Sequence, residues 1–336
     1  MTTDSRGHHL PPPEPSSRAR AARLHAHGKP LVVEEVDVAA AGGDEVVVEM
    51  AFAGVNPVDR YTAEGRVAPD GPLPRTLGME GAGRRADDGR PVLVQGGGLG
   101  TTRDGAWAEQ VVAPAVAVTD IPAGVDLAEA AVMGVAGVTA WRTATEQAQV
   151  TADDRVLVLG ASGGVGSILV SLCRTLGARV WGQTGNPDKA SFIVGQGAED
   201  VVTASADELA GAVEPLSPTV VFDALGDGFS GAAIEALAPF GRLVSFGVSA
   251  GPMAEVNMQM VYRKGLTIYG YGGLIEPVER MAAGKAAALA ALADGRLKVV
   301  VAEVLPLGRV NDAFTALVDR AISGKIVVEC SEGRGA

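Results

Sequence analysis

The apolar positions form short, nearly continuous runs between about residues 126 and 271, and each run is separated from the next by a helical stretch. The runs are "RVLVLG", "ARVWGQTG", "EDVVTA", "TVVFDALG", "GRLVSFGVS" and "GLTIYGYGG". Strands that are buried on both faces of a parallel sheet have this continuous apolar character. The pattern therefore predicts an α/β fold class, with a Rossmann-type doubly wound parallel sheet over residues 126–271.

The flanking segments have a different pattern. Before about residue 125, short strands alternate with turns rich in Gly and Pro and there is little helix, which predicts a small β-rich domain. After residue 272 an Ala-rich helix, a strand, a second helix and the strand "GKIVVEC" follow. Residues 1–17 are rich in Pro, Ser and charged side chains, so a disordered tail is expected there.

The stretch "RVLVLGASGGVGSILVSLCRTLG" has two interpretations. Residues 160–164 fit G-x-S-x-G, which would make Ser162 a nucleophile. When the pattern is started one residue later, Ala161-x-Gly163-x-x-Gly166 fits a dinucleotide-binding turn with Ala in the first glycine position. A serine nucleophile needs a base, which in such hydrolases is a histidine later in the chain. The histidines all precede Ser162, so the dinucleotide interpretation is favoured; they are His8, His9, His25 and His27.

The turn lies in a βαβ context, because an apolar strand precedes it and a helix and second strand follow. The N-terminus of such a helix attracts a pyrophosphate. At the end of the second strand the chain has Thr184, Gly185 and Asn186 in place of an acidic residue, and Lys189 follows. This composition suits the 2′-phosphate of NADP better than the free ribose of NAD. Two alternatives stay open: Asp188 could turn inward, and Lys189 could simply begin the next helix.

Further cofactor contacts are expected where other strands of the sheet end, since an open α/β sheet binds its ligand at that edge. The glycines there could equally be plain turn residues. The residues predicted to bind the cofactor within this domain are Ala161, Ser162, Gly163, Gly164, Val165, Gly166, Thr184, Asn186, Lys189, Leu225, Phe246 and Gly247.

Composition and charge exclude several function classes. The 336 residues are 47% hydrophobic and 20% charged, as in a soluble globular protein with room for two domains. A net charge of −12 argues against a nucleic-acid partner, and no basic cluster indicates a membrane partner. Cys173 and Cys330 are too few and too far apart for a disulfide framework or a zinc knuckle. A cytoplasmic protein with a small-molecule substrate is expected.

Several motifs stand in the order found in one family. They are "AGVNPVDRY" (53–61), "GMEGAG" (78–83), "RDGAWAEQVV" (103–112), "AAVMGVAGVTAW" (130–141), "GASGGVG" (160–166) and "SGKIVV" (323–328). With these motifs the chain resembles the medium-chain dehydrogenase/reductase superfamily, in its zinc-free quinone oxidoreductase (zeta-crystallin-like) branch. The resemblance implies a GroES-like catalytic domain made of residues 18–125 and 272–336, and a homodimer.

The resemblance also implies roles for individual residues near the nicotinamide. Asn56 and Tyr61 would lie beside it, and Tyr61 is the leading proton donor, although turn and capping chemistry also explains Asn56 and Asp59. Asp59 is the third candidate catalytic residue. Thr139 and Lys325 would contact the cofactor. Tyr271 follows the strand "TIYGY" and is predicted to line the substrate cleft together with Tyr61.

Departures from the zinc-dependent relatives shape the expected chemistry. Those relatives carry a Cys in the segment that matches Val55-Asn56 and a His where Met79 stands, so no metal is expected here. Hydride transfer without a metal needs an electrophilic acceptor such as a quinone, an enone, an enal or an enoyl thioester. An NADPH-dependent quinone oxidoreductase or enoyl reductase is therefore predicted. The alternative is a non-catalytic NADPH-binding sensor or structural protein of the same fold.

Overall fold

The computed structural model of the protein describes residues 17–331. The predicted tail lies outside the described residues except for Ser17, which begins the first strand. The N-terminal part contains eight strands and one helix. They are β1 (Ser17–Leu24), β2 (Val32–Val38), β3 (Glu45–Gly54), α1 (Pro57–Ala63), β4 (Arg75–Thr76), β5 (Glu80–Arg85), β6 (Pro91–Gln95), β7 (Gln110–Pro114) and β8 (Val118–Asp120).

The middle of the chain alternates strands and helices, as the apolar runs predict. Its elements are α2 (Leu127–Ala130), α3 (Val138–Arg142), β9 (Arg155–Val158), α4 (Gly164–Thr175), β10 (Arg179–Thr184), α5 (Ala190–Gly195), β11 (Asp200–Thr203), α6 (Ala206–Val213), β12 (Val220–Asp223), α7 (Gly228–Ala236), β13 (Arg242–Ser245), α8 (Met258–Lys264) and β14 (Thr267–Gly270). Two π-helical turns, Met133–Gly137 and Thr143–Gln147, flank α3.

The six strands of this middle part form one parallel sheet in the order β11-β10-β9-β12-β13-β14. Counted from its first strand, the order is 3-2-1-4-5-6, the doubly wound arrangement of dinucleotide-binding folds. Every residue of β12 is buried, in agreement with a strand covered on both faces. The predicted fold class is confirmed.

The C-terminal elements return to the N-terminal domain. They are α9 (Val278–Ala293), β15 (Val301–Pro306), α10 (Val310–Val318) and β16 (Lys325–Glu329). β16 pairs antiparallel with β3 and parallel with β15, so both chain ends build a seven-stranded sheet in the order β15-β16-β3-β5-β6-β8. β7 also pairs with β3, and β2, β1 and β4 form a separate three-stranded sheet. The β-rich domain made from both ends of the chain is therefore present.

The helix α9 joins the two domains. It begins after the predicted boundary at residue 271, yet Ala288 and Leu289 are buried in the same apolar cluster as Ile168 and Leu169 of α4. Its Gly284 approaches α3 so closely that a Cβ would lie 2.9 Å from a Val138 methyl. This packing carries the next residue, Lys285, into the interior. The domain limits at 125 and 271 stay predictions. None of the helices within residues 17–331 is long and apolar enough to span a membrane.

β14, in the stretch "LTIYGYGGLI", is one of the two edge strands of the parallel sheet. The N–H groups of Thr267 and Tyr271 donate to β13 and its flank, at 3.0 and 2.9 Å. Backbone N–H groups of successive residues in a strand face opposite sides, so the N–H of Ile268 faces away from β13. The Ile268 residue is 46% exposed. We propose that two copies of the chain pair through this edge.

If two copies pair through β14, a single substitution in this strand should dissociate the homodimer. Ile268→Pro removes an outward donor while leaving the bonds to β13 intact, because proline is tolerated on a strand edge that faces away from the sheet. Light scattering coupled to size exclusion should show a dimer for the wild type and for Ile268→Val, and a monomer for Ile268→Pro. A wild-type monomer at micromolar concentration would contradict the prediction.

Candidate functional site

The glycine turn lies between β9 and α4 and leaves the N-terminus of α4 open. Gly160 has φ +64°, a left-handed conformation that favours glycine. A Cβ on Gly166 would collide with the backbone carbonyl oxygen of Gly160, so the turn closes only with glycine at that position. The N–H groups at the start of the 12-residue helix α4 point outward from this turn. The geometry matches a cradle for a phosphate anion.

Two buried polar side chains hold this turn and its neighbour, and the sequence analysis did not single out either. Gln183 of β10 accepts the N–H of Gly160 through Oε1 (3.1 Å) and donates through Nε2 to the carbonyl of Ala204 (2.8 Å). Asp223 at the end of β12 accepts the N–H groups of Leu225 (2.8 Å) and Gly226 (3.0 Å). The sequence does mark both residues, because Gln183 is a polar residue inside an apolar strand and Asp223 is a charged residue at the end of one.

The predicted contacts at the other strand ends lie along one edge of the sheet. A Cβ on Gly160 would lie 3.2 Å from the Leu225 side chain, so the loop after β12 packs on the glycine turn. Phe246 donates its N–H to the carbonyl of Asp223 (3.0 Å), and a Cβ on Gly247 would lie 2.8 Å from the Ala224 carbonyl oxygen. The structure thus brings Leu225, Phe246 and Gly247 to the same edge as the turn.

The residues proposed for the 2′-phosphate form a small polar turn after β10. Thr184 accepts the N–H of Asn186 through Oγ1 (3.2 Å), and Asn186 accepts the N–H of Asp188 through Oδ1 (2.9 Å). The ammonium of Lys189 donates to the carbonyls of Arg320 (2.6 Å) and Ile322 (3.0 Å) on the C-terminal segment. Lys189 is therefore not a free surface residue, and its contact with a 2′-phosphate stays a prediction.

A buried polar network connects the two domains beside the glycine turn. Lys325 of β16 donates from Nζ to the carbonyl of Val55 (2.8 Å) and to Oδ1 of Asn56 (2.6 Å). Nδ2 of Asn56 donates to Oε1 of Glu80 (2.7 Å), which lies 3.9 Å from the Lys325 ammonium. The Lys325 stem lies over the turn, since a Cβ on Gly164 would be 2.5 Å from its Cδ. We call these three side chains the Asn56–Glu80–Lys325 network.

The second oxygen of Glu80 reaches the other domain. Oε2 accepts the N–H of Val135 (2.7 Å), in the π-helical turn before α3, and the carbonyl of Val135 accepts the hydroxyl of Thr139 (2.6 Å). Thr139 is buried next to the hydroxyl of Tyr271, which makes no hydrogen bond of good geometry with another described residue. Burial raises the pKa of Tyr271, and the nearby Arg142 guanidinium opposes that rise.

Asp59 caps α1 from a fully buried position. Its carboxylate accepts the N–H groups of Asn56 (2.8 Å) and Met79 (3.1 Å). Burial raises the pKa of Asp59 to about 7, against the opposing effect of the Asn56 N–H. Burial likewise raises the pKa of Glu80 and lowers that of Lys325, while the attraction between the two opposes both shifts.

The residues at the zinc positions of related enzymes do not fit a zinc ion. Both side-chain atoms of Asn56 are used within the network, and its Oδ1 faces an ammonium. Met79 is buried and supplies only a thioether, which zinc sites in proteins do not use. Among residues 17–331, no group of three His, Cys, Asp or Glu side chains is placed to hold a metal ion. Metal-free function stays a prediction.

Tyr61 lies on α1, apart from the network. Its half-buried ring faces the guanidinium groups of Arg66, 4.4 Å from the ring centre, and Arg60, at 5.4 Å. The hydroxyl makes no hydrogen bond with another of the described residues. Its role as proton donor stays a prediction.

A cleft of about 320 Å³ opens beside Met79 and is lined by residues from both the N-terminal and the C-terminal part of the chain. Neither Tyr61 nor Tyr271 lines it, although the Tyr271 hydroxyl would lie 3.6 Å from a Cβ on Gly273 in its wall. The sequence analysis missed the polar side chains of the lining, which are Gln95, Thr101, Thr102, Glu276 and Lys285. Lys285 sits in an Ala-rich helix, where neither spacing nor a motif marks it as functional.

Comparisons with known proteins agree with this architecture. The family model described as zinc-binding dehydrogenase matches residues 164–281. Quinone oxidoreductase-like protein 2 of Bos taurus is 30% identical over 322 residues, covering 92% of this chain and 92% of that protein. The chain belongs to the medium-chain dehydrogenase/reductase superfamily, in its quinone oxidoreductase-like branch.

Other members of the superfamily extend the comparison. Quinone oxidoreductase 1 of Escherichia coli K12 is 27% identical over 326 residues, which cover 91% of this chain and 98% of that protein. A mycobacterial protein whose structure was solved in complex with NADPH is 26% identical and has a TM-score of 0.80, covering 93% of this chain and 99% of that one. The similarity extends over both domains, as the sequence motifs predict.

Adding one methyl group at Gly166 should close the anion cradle. Gly166→Ala pushes a Cβ into the Gly160 carbonyl, so the turn must open and α4 must shift. We expect an NADPH dissociation constant at least about tenfold higher, a change of roughly 1.4 kcal/mol, measured by nucleotide fluorescence. Gly211→Ala on α6 is the matched control, because a Cβ there meets no atom within 4 Å. Equal affinity in both variants would contradict this role of Gly166.

Asp59 should make stability depend on pH. Its folded-state pKa of about 7 exceeds the ordinary value of 3.8, so the folded protein holds a proton that the unfolded chain releases between about pH 4 and pH 7. The free energy of unfolding should therefore fall as pH rises through that window. Asp59→Asn should flatten this dependence, whereas Asp188→Asn at an exposed position should preserve it. Urea unfolding at several pH values measures the slope, and parallel slopes for all three proteins would refute the assignment.

Proposed function

We propose that the protein is an NADPH-dependent oxidoreductase that transfers hydride to a quinone or an activated alkene without a metal ion. The observation that carries the proposal is the Asn56–Glu80–Lys325 network. Asn56, in the segment where zinc-dependent relatives carry a Cys ligand, faces the Lys325 ammonium instead, and the Lys325 stem lies against Gly164 of the glycine turn. The names of the relatives, which describe quinone oxidoreductases, support the same reaction class.

The glycine turn would hold the pyrophosphate of the cofactor. The N–H groups that begin α4 at Gly164 would donate to the phosphate oxygens, and the helix dipole would favour their charge. Ser162 lies in the turn, and its carbonyl accepts the N–H of Gly324 (2.9 Å), so the C-terminal segment closes the turn from one side. When bound, the reduced nicotinamide supplies the hydride.

NADPH is proposed over NADH because β10 ends without an acidic side chain. Thr184 and Asn186 offer neutral polar groups, and Lys189 brings a positive charge next to them. A 2′-phosphate carries negative charge that this set can bind, whereas the 2′-hydroxyl of NADH would lack its usual carboxylate partner. The NADPH complex of the mycobacterial neighbour supports this assignment.

The acceptor must be electrophilic without help from a metal. In a quinone, an enone, an enal or an enoyl thioester, the electrons that arrive with the hydride move onto a carbonyl oxygen. The protein then needs to exclude water, orient the acceptor and place hydrogen-bond donors at that oxygen. Proton transfer from Tyr61 or from water completes the reduction.

The test is NADPH oxidation followed by absorbance with matched panels of quinones and activated alkenes, repeated with NADH. We expect turnover of one acceptor class and a preference for NADPH of at least about tenfold, because binding of the 2′-phosphate contributes more than about 1.4 kcal/mol. Ser162→Ala should weaken NADPH binding but leave kcat at saturating NADPH unchanged. Tight NADPH binding with no acceptor reduced would overturn the enzyme proposal in favour of a sensor.

A further inference from the structure

Lys285 is a buried cation without a counter-ion. Its side chain is 1% exposed, and Nζ donates to the backbone carbonyls of Gln95 (2.9 Å) and Ala117 (3.2 Å). An ammonium has three N–H donors, so one remains unused. No carboxylate of residues 17–331 forms an ion pair with it, in contrast to Lys325, which faces Glu80 at 3.9 Å.

Burying this charge destabilises the folded protein, so we expect the charge to serve a function. Moving an ammonium out of water costs several kcal/mol, and two neutral carbonyls recover only part of that. Burial lowers the pKa of Lys285 to about 8, so the side chain is still mainly protonated at neutral pH. A methionine or leucine would fill the same space on α9 without this cost.

Lys285 lies in the wall of the cleft beside Met79, and Gln95 shares that wall. Oε1 of Gln95 is buried and accepts no hydrogen bond from the described residues. The cleft also contains the carboxylate of Glu276, but this group is already paired with Arg142 at 2.9 Å and Arg280 at 3.8 Å. The wall therefore presents one uncompensated cation and one unpaired acceptor.

The cleft lies close to the predicted cofactor site through a short series of contacts. Met79 is in its wall, the next residue is Glu80, and Glu80 belongs to the network whose Lys325 stem covers Gly164. The wall of the cleft is thus connected to the glycine turn through Met79 and the Asn56–Glu80–Lys325 network.

We propose that the ammonium of Lys285 binds the carbonyl oxygen of the acceptor and stabilises the negative charge which that oxygen gains on reduction. The inference rests on the proposed function. Hydride from a C–H bond of the reduced cofactor would add to the β carbon of the acceptor and form a new C–H bond there. The C=C π pair would shift to the bond between the α carbon and the carbonyl carbon, and the C=O π pair would move onto the oxygen to give an enolate. Nζ donates its third N–H to that oxygen, and a proton from water then neutralises the product. Gln95 Oε1 can accept the hydroxyl of an enol or hydroquinone product.

The binding test uses p-nitrophenol, a probe that ionises near neutral pH and whose phenolate is yellow. Its oxygen carries the same delocalised charge as the enolate of a reduced acceptor. A cation at the cleft wall should favour the phenolate, so wild-type protein should lower the apparent pKa of the bound probe. Absorbance titrations between pH 5 and pH 9 measure the shift without any turnover. A wild-type protein that binds only the neutral phenol would overturn the proposal.

Lys285→Met keeps the length of the side chain and removes its charge, and Lys285→Gln is a second variant if the first does not fold. Both should abolish the shift of the probe. They should also lower kcat by about 10²-fold, the usual cost of losing one preorganised donor to an oxyanion. The matched control is Lys264→Met, because Nζ of Lys264 likewise donates to two carbonyls, those of Glu235 (2.6 Å) and Leu237 (2.8 Å), away from the cleft.

The outcomes separate this inference from the proposed function. If NADPH is oxidised normally but the Lys285 variants keep both the probe shift and kcat, the role of Lys285 is refuted while the oxidoreductase stands. If the probe shift disappears in the Lys285 variants and persists in Lys264→Met, the oxyanion site is supported even where no acceptor is reduced. If no acceptor is reduced in that experiment, the proposed oxidoreductase activity is refuted while the anion-binding role of Lys285 stands.

Discussion

The hydrogen bonds of the Lys325 ammonium connect the parts of this protein that its site depends on. Nζ binds the carbonyl of Val55 and the amide of Asn56, while the stem of the same side chain covers Gly164 at the start of α4. One buried side chain from the last strand thereby joins the N-terminal domain to the glycine turn. The charge is tolerated because Glu80 lies 3.9 Å away and two oxygens accept its hydrogen bonds.

This network also bears on the proposed reaction without a metal ion. Asn56 uses both of its side-chain atoms within the network, donating to Glu80 and accepting from the Lys325 ammonium. The Lys325 ammonium is already engaged in hydrogen bonds within the network. It therefore cannot bind a substrate oxygen in the way that a metal ion with an open coordination position does. In the proposed reaction, the cation that reaches the acceptor is Lys285 in the wall of the cleft, which forms no ion pair with the described residues.

Features that depend on neighbours in the sequence were predictable. The apolar runs at β9 to β14 marked the parallel sheet, since a strand buried on both faces leaves no polar positions. The spacing of Gly163 and Gly166 marked the turn, and at Gly166 a Cβ would collide with the carbonyl oxygen of Gly160. The capping role of Asp59 could be anticipated from its place three residues after Asn56.

Features that depend on distant parts of the chain were not predictable. Gln95 ends β6 and Lys285 lies on α9, so they meet across 190 residues, and no local pattern distinguishes this lysine from a surface one. The packing of α9 could not be predicted for the same reason, because this helix follows the last parallel strand and contacts both α3 and β8. The sequence by itself determined the fold, the anion cradle and the loss of the zinc ligands, since each rests on local sterics or residue type. Only the tertiary structure decided which buried charges are paired, because pairing depends on packing between elements far apart in the chain.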